Sequence, residues 1–264
     1  MGEPSGTLHA SRVRRLERAR AWAPVFQDAD VATLDSYDLV VVDGIGDEHG
    51  PQLSSTDLAP LRASGTLVLS YLSVGTVEDW RPYASRVPSS WTLAKVEDWP
   101  DERYVDARER GWQQIMETQA RDLERRGFDG LYLDNLDVAE DFPATREGLV
   151  QLVKGLRTAV ADMLLVAQNG LAIADELPID AIAHEDVFGR WDDGYRASTP
   201  EETAAIVRGL RRMHARGLPV LTLDYATPRS DTAREAVARS RAEGFLPAVS
   251  VLELDRPPHA PARS

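Results

Sequence analysis

Short apolar runs recur along the chain between longer stretches of mixed polarity. Four segments share one pattern: "LRASGTLVLSYL", "LERRGFDGLYLD", "MHARGLPVLTLD" and "SRAEGFLPAVSV" each pass from charged residues through a glycine into an apolar run. The glycines are Gly65, Gly127, Gly217 and Gly244. Each suits the left-handed position that closes a helix, and basic residues before it suit the negative end of the helix dipole. The runs that follow are short and rich in Leu and Val, as parallel strands covered on both faces require. The segments before the glycines read as helices. In "RERGWQQIMETQARDLERRG", Trp112, Ile115, Met116, Ala120 and Leu123 share one face at helical spacing. "PEETAAIVRGLRRMHARG" opens with Thr199 as a cap, Pro200 in the first turn and two glutamates.

Eight strands are predicted on this basis, at 22–27, 38–43, 66–72, 130–134, 163–168, 179–185, 219–224 and 246–251. Their alternation with helices predicts an α/β fold, a single (β/α)8 TIM barrel, over an open doubly wound sheet. The barrel domain is expected over 21–253, after a flexible lead-in at 1–20 and before a disordered, proline-rich tail at 254–264.

In such barrels chemistry sits at the carboxyl ends of the strands. Those ends carry Gln27, Asp43, Tyr71 with Ser73, Asp134 with Asn135, Gln168 with Asn169, Glu185 with Asp186, Asp224 with Tyr225, and Ser250. A polar set converging from separate strands suits a polyhydroxylated ligand. Each Asp or Asn can instead cap a helix, and Asp43 before Gly44 can be a turn residue. Asp137 reads as a helix cap, and Asp129, ahead of its strand, belongs to the opposite end of the barrel. Glu185 stands out, because Glu is a poor cap and "AIAHED" turns abruptly from small apolar residues to charge. The connection at 73–108 is much longer than an ordinary βα loop and holds Trp80, Trp91 and Trp99 with Tyr83 and Tyr104. Flat aromatic faces there can stack on sugar rings or form a small satellite core.

Composition narrows the chemistry. The 264 residues carry a net charge of −13 from 30 basic and 43 acidic side chains. That argues against a partner whose phosphates must be neutralised; an acidic surface first serves to keep the protein soluble, and it would also favour a cationic ligand. There is no cysteine, so thiolate chemistry is excluded, and no apolar run reaches the roughly 20 residues of a membrane span. The five histidines show no metal-binding spacing, and no P-loop, dinucleotide fingerprint or GxSxG elbow is present. Asp43, Asp134 and Asp224 leave a divalent cation as a minority alternative. The expectation is a monomer without cofactor or metal, with a polyhydroxylated ligand and no nucleic-acid or membrane partner. The start of the chain shows no secretory signal, which leaves the compartment open.

"YDLVVVDG", "LSYLSVGTVEDWRPY", "RYVDAR", "GFDGLYLDNLD", "AQNG", "HEDVF" and "LTLDYA" occur in an order and spacing that resembles glycoside hydrolase family 114 across residues 22–252. The resemblance implies a barrel glycosidase of the endo-α-1,4-polygalactosaminidase type, and hence that the ligand is a polysaccharide or oligosaccharide. It implies catalytic carboxylates at Asp134 and Glu185, and a polar pocket including Asp43, Tyr71, Asn169 and Asp224. Ser73, Trp80, Asn135 and Tyr225 complete the expected substrate-binding set. Glycoside hydrolysis needs one carboxyl that gives a proton and one that attacks or activates water. The apolar lead-in to Glu185 favours it as the acid/base and Asp134 as the ionised partner, although the roles can be exchanged. A binding barrel without turnover and a metal-dependent sugar isomerase or lyase are the competing classes.

Overall fold

The computed structural model describes residues 6–27, 30–47 and 53–258. All eight predicted strands form, each boundary within two residues of expectation. They are β1 (Trp22–Val25), β2 (Leu39–Val42), β3 (Leu67–Ser73), β4 (Gly130–Asp134), β5 (Leu164–Gln168), β6 (Ala181–Glu185), β7 (Val220–Tyr225) and β8 (Leu246–Ser250). They pair in parallel in sequence order, which makes a nearly closed eight-stranded TIM-type barrel. No backbone ladder joins β8 to β1. The Trp22 indole bridges that seam instead, donating to the Leu246 carbonyl at 3.0 Å.

Six longer helices flank the strands: α1 (Thr7–Leu16), α2 (Ser55–Ser64), α3 (Arg110–Arg126), α4 (Arg146–Ala159), α5 (Pro200–Ala215) and α6 (Asp231–Ala242). Gly65, Gly127, Gly217 and Gly244 take the left-handed conformation, as the repeated pattern requires. Thr199 caps α5 in a reciprocal box with Glu202. The alternation is weak at two points among the described residues, where only the four-residue helix Val31–Leu34 separates β1 from β2 and only a 3-10 turn, Ala174–Glu176, separates β5 from β6.

Strand parity decides what faces the barrel interior. Leu69, Tyr71, Tyr132, Val166, Ala183, Leu223 and Tyr225 form one interior cluster. The alternate residues Val68, Leu72, Leu131, Leu133 and Leu165 pack outward with Trp112, Met116 and Leu123 of α3.

The lead-in is not flexible from residue 7 onward. Helix α1 covers the amino-terminal end of the barrel through Arg12, which is 6% exposed and pairs with Asp129 at 3.0 Å. Arg12 also donates to the Asp162 carbonyl at 2.8 Å, and Asp129 accepts the Val68 N–H at 3.1 Å. The helix is weakly apolar, and its anchor is an ion pair between residues distant in sequence, which local polarity does not reveal. The first residues of the expected tail, 254–258, are also placed. Leu254 is buried, its carbonyl accepts the Phe26 N–H at 2.9 Å, and the Tyr37 hydroxyl bonds the Pro258 carbonyl. Residues 1–5 and 259–264 lie outside the described residues.

The long connection after β3 folds into a three-stranded antiparallel sheet of Thr76–Glu78, Glu102–Val105 and Thr92–Lys95. Trp91 lies so close over Gly111 that a Cβ there would sit 1.8 Å from the indole, so Trp91 belongs to a satellite core. Tyr83 is buried edge-on to Trp112, and Tyr104 packs on Phe142. Trp80 and Trp99 remain 43% and 53% exposed.

Candidate active site

The last inward-facing residues of β4, β5 and β6 are Asp134, Gln168 and Glu185. Each is followed by a residue in the left-handed region: Asn135 (φ 61), Asn169 (φ 57) and Asp186 (φ 55). Asn and Asp tolerate that conformation better than other side-chain-bearing residues. The kink turns the chain at the barrel rim and lets the two asparagines reach back. Asn135 Nδ2 donates to Ser73 Oγ at 2.9 Å and to Asp134 Oδ2 at 3.3 Å, while Asn169 Nδ2 donates to Glu185 Oε1 at 2.9 Å. Strand β3 sets the other side of this arrangement, since Ser73 lies opposite Asp134 in register and Gly75 runs against the Asn135 carbonyl. A Cβ on Gly75 would sit 2.0 Å from that oxygen, so only glycine fits.

Two tyrosines complete the pair. Tyr71 Oη donates to Asp134 Oδ2 at 3.0 Å, and Tyr225 Oη donates to Glu185 Oε2 at 2.8 Å. Burial pushes the Asp134 carboxyl well above the usual carboxylate range, and the negative charge of Glu185 adds to the effect. Asp134 is thus the member of the pair whose surroundings favour the protonated form.

Asp137 is not the cap it resembles. It occupies the N-cap position of the short helix Val138–Asp141, but its side chain makes no capping bond. Its carboxyl is instead pushed up to about 6, by burial first and by Glu185 second, and Asp137 in turn raises Asp134.

The remaining expected residues divide into those brought to the pair and those used elsewhere. Tyr71, Asn135, Asn169 and Tyr225 bond the two carboxylates directly. Ser73 is buried behind them, held by Thr76 and Asn135. Asp43 is occupied: Oδ1 accepts the Ile45 and Gly46 N–H groups, both at 3.0 Å, and Oδ2 accepts from Arg81 Nη1 at 2.7 Å. Arg81 also pairs with Glu78, and its guanidinium lies 5.7 Å from the Tyr71 ring and 6.0 Å from that of exposed Trp80. Asp43 thus holds a buried arginine against the tyrosine that serves Asp134. Asp224 is a correction. It has the parity of Val220 and Thr222, which face the helices, and it is fully buried. Its Oδ1 accepts the N–H groups of Phe188 and Gly189 at 2.6 and 2.9 Å, so it fixes the loop after β6 and lies on the helix side of the strand, away from Asp134 and Glu185. Asp43, Asp134 and Asp224 consequently do not converge, and no group of three or more potential metal-binding side chains occurs among the described residues.

Arg81, Glu78 and Asp137 carry no sequence signature of their role. The first two lie inside the long connection, with no local pattern to mark them. A usable signal exists at the rim itself, where three successive strands end in an acid or amide followed by Asn or Asp: "DN", "QN" and "ED".

The profile of glycoside hydrolase family GH114 matches residues 6–262. The chain belongs to glycoside hydrolase family 114. Among solved structures it is similar to the glycoside hydrolase domain of PelA from Pseudomonas aeruginosa, with 26% identity and a TM-score of 0.81 over 92% of this chain and 98% of that one. Ega3 of Aspergillus fumigatus, solved with galactosamine, shares the fold at 16% identity and a TM-score of 0.72, over 89% of this chain and 91% of the other. An uncharacterised protein of Deinococcus radiodurans is 27% identical over 238 residues, which are 83% of this chain and 75% of the relative. The protein is accordingly a glycoside hydrolase with a carbohydrate substrate, and no described helix is long and apolar enough to cross a membrane.

Proposed function

We propose that this family 114 hydrolase cleaves α-1,4-linked, galactosamine-containing polysaccharide within the chain, using Asp134 and Glu185 as its catalytic carboxylates. The observation that carries the cationic substrate is the company Asp134 keeps: the charges that act on it most strongly, Glu185 and Asp137, are both carboxylates. A neutral glycan needs two carboxylates; a third one left without a cationic partner suits the ammonium of an amino sugar. That Ega3 was solved with galactosamine supports the same reading.

The chemistry follows from the charges. An ammonium beside Asp137 cancels part of the field that keeps the proton on Asp134. Asp134 then ionises, held by Tyr71, and serves as nucleophile or water-activating base. The proton that Asp134 gives up passes to Glu185, which is oriented by Asn169 and Tyr225 and gives it to the leaving oxygen.

The test is to incubate the protein with partly deacetylated polygalactosamine and with its fully acetylated, neutral form, sizing the products by mass spectrometry. Short oligomers are expected from the cationic polymer, at a rate that falls with added salt. Because Asp137 ionises above about 6, KM for this polymer should rise as pH drops below that value. Absence of products from either polymer overturns the function, and better cleavage of the neutral polymer overturns the role of charge.

A further inference from the structure

The chain between β6 and α5 carries a feature that the catalytic pair does not use. Gly189–Trp191 and Tyr195–Ala197 form a two-stranded antiparallel hairpin, with Trp191 paired opposite Tyr195. The hairpin is pinned at several points. Asp224 fixes its entry through the Phe188 and Gly189 N–H groups. Arg196 binds both Asp192 and Glu202, at 2.6 and 2.7 Å, which ties the turn to the first turn of α5. Tyr195 accepts the Leu252 N–H at 3.1 Å and packs on the barrel interior cluster. An isolated two-stranded hairpin is marginal in water, so this number of anchors indicates a segment that must hold one position.

What it holds is an indole. Trp191 meets the Tyr195 ring edge-on at 5.1 Å and still remains 42% exposed. Arg190 of the hairpin lies 4.0 Å from Oδ2 of Asp186, the residue next to Glu185, which brings the hairpin to the rim of the active site. Asp186 Oδ1 is buried without a hydrogen-bond partner. Strand order gives the larger geometry. Trp80 leaves the barrel after β3 and Trp191 after β6, and the strands between them, β4 and β5, end in Asp134 and Gln168. The two exposed indoles therefore lie on segments that leave the same end of the barrel, with the strand that ends in Asp134 between them.

We infer that the Gly189–Ala197 hairpin is a sugar-binding subsite in which the face of Trp191 stacks on a hexopyranose unit of the polymer, remote from the bond that is cut. The inference rests on the polymer reading above. A rigid aromatic face loses little entropy on binding and matches the C–H face of a pyranose. Such a subsite rewards chain length, because only a substrate long enough to reach it gains the contact.

The experiment compares kcat/KM for galactosamine disaccharide and hexasaccharide in the wild type, Trp191→Ala and Trp191→Phe. The advantage of the hexasaccharide is expected to shrink about tenfold in Trp191→Ala, equivalent to about 1.4 kcal/mol, mainly through KM. Trp191→Phe should keep most of it. An unchanged advantage in Trp191→Ala overturns the subsite. Should the wild type cleave neither sugar, the polymer reading fails, and calorimetric titration of the hexasaccharide into Glu185→Gln, with and without Trp191→Ala, judges the subsite separately. A Kd about tenfold weaker in the double variant upholds it, and an equal Kd or no binding to either overturns it.

Discussion

Glu185→Gln and Asp134→Asn are each expected to lose about a hundredfold to ten-thousandfold in kcat on the polymer, with little change in KM. The magnitude is that of removing one proton-transfer or nucleophilic group while leaving its bonding frame in place. In Glu185→Gln the amide oxygen still accepts from Asn169, and the Tyr225 hydroxyl can turn to accept from the new amide. In Asp134→Asn, Tyr71 keeps an acceptor. The second variant has a further, opposite consequence for stability. Burial and the charge of Glu185 hold the folded pKa of Asp134 above its unfolded value. A carboxyl of this kind favours the folded state at acid pH, and that advantage is lost as pH rises from the unfolded value toward the folded one. Asp134→Asn removes the penalty, so its Tm should exceed the wild type near pH 7, with the difference closing toward about pH 4. A variant that is inactive and no more stable at neutral pH would show that Asp134 is not held protonated. Variants that cleave like the wild type would show that catalysis lies elsewhere.

Arg12→Met is expected to destabilise the protein by about 3–5 kcal/mol, a large loss for a residue at the end of the barrel opposite the active site. Arg12 and Asp129 are both buried, so removing the guanidinium leaves a carboxylate that water cannot reach. Asp129 also holds the β3 backbone through the Val68 N–H, which passes the strain into the barrel. The companion variant Arg12→Met/Asp129→Asn should recover part of the loss, because it removes the stranded charge while keeping an acceptor for Val68. Urea melts at neutral pH measure both. Since this pair closes the amino-terminal end of the barrel, kcat of the folded fraction should be unaffected in either variant. A loss below about 1 kcal/mol would mean that α1 is held by its apolar contacts alone.

The residues legible in the sequence share one property: their signals are local. Short apolar runs and helix-closing glycines mark each element within a few neighbouring residues, which is why all eight strands fall close to their expected positions. Asp134 and Glu185 are legible because each ends such a run. What escapes depends on residues far apart in the chain. The Arg12–Asp129 pair turns an expected flexible lead-in into a docked helix. Arg81 draws Asp43 and Glu78 into a cluster behind Tyr71, although none of the three marks the others by spacing.

Sequence alone determined the family, the barrel and the identity of the two carboxylates placed at the strand ends. Tertiary structure decided their electrostatics and the allocation of their neighbours. One step in strand parity turns Asp224 away from the site and Tyr225, the next residue, into it. Enclosure raised the proton affinity of Asp134, left Asp137 as a third acid without a cap to make, and left Trp191 exposed on a pinned hairpin. Desolvation and the field of neighbouring charges are sums over everything packed around a group, so they come into being only when the chain has closed around it.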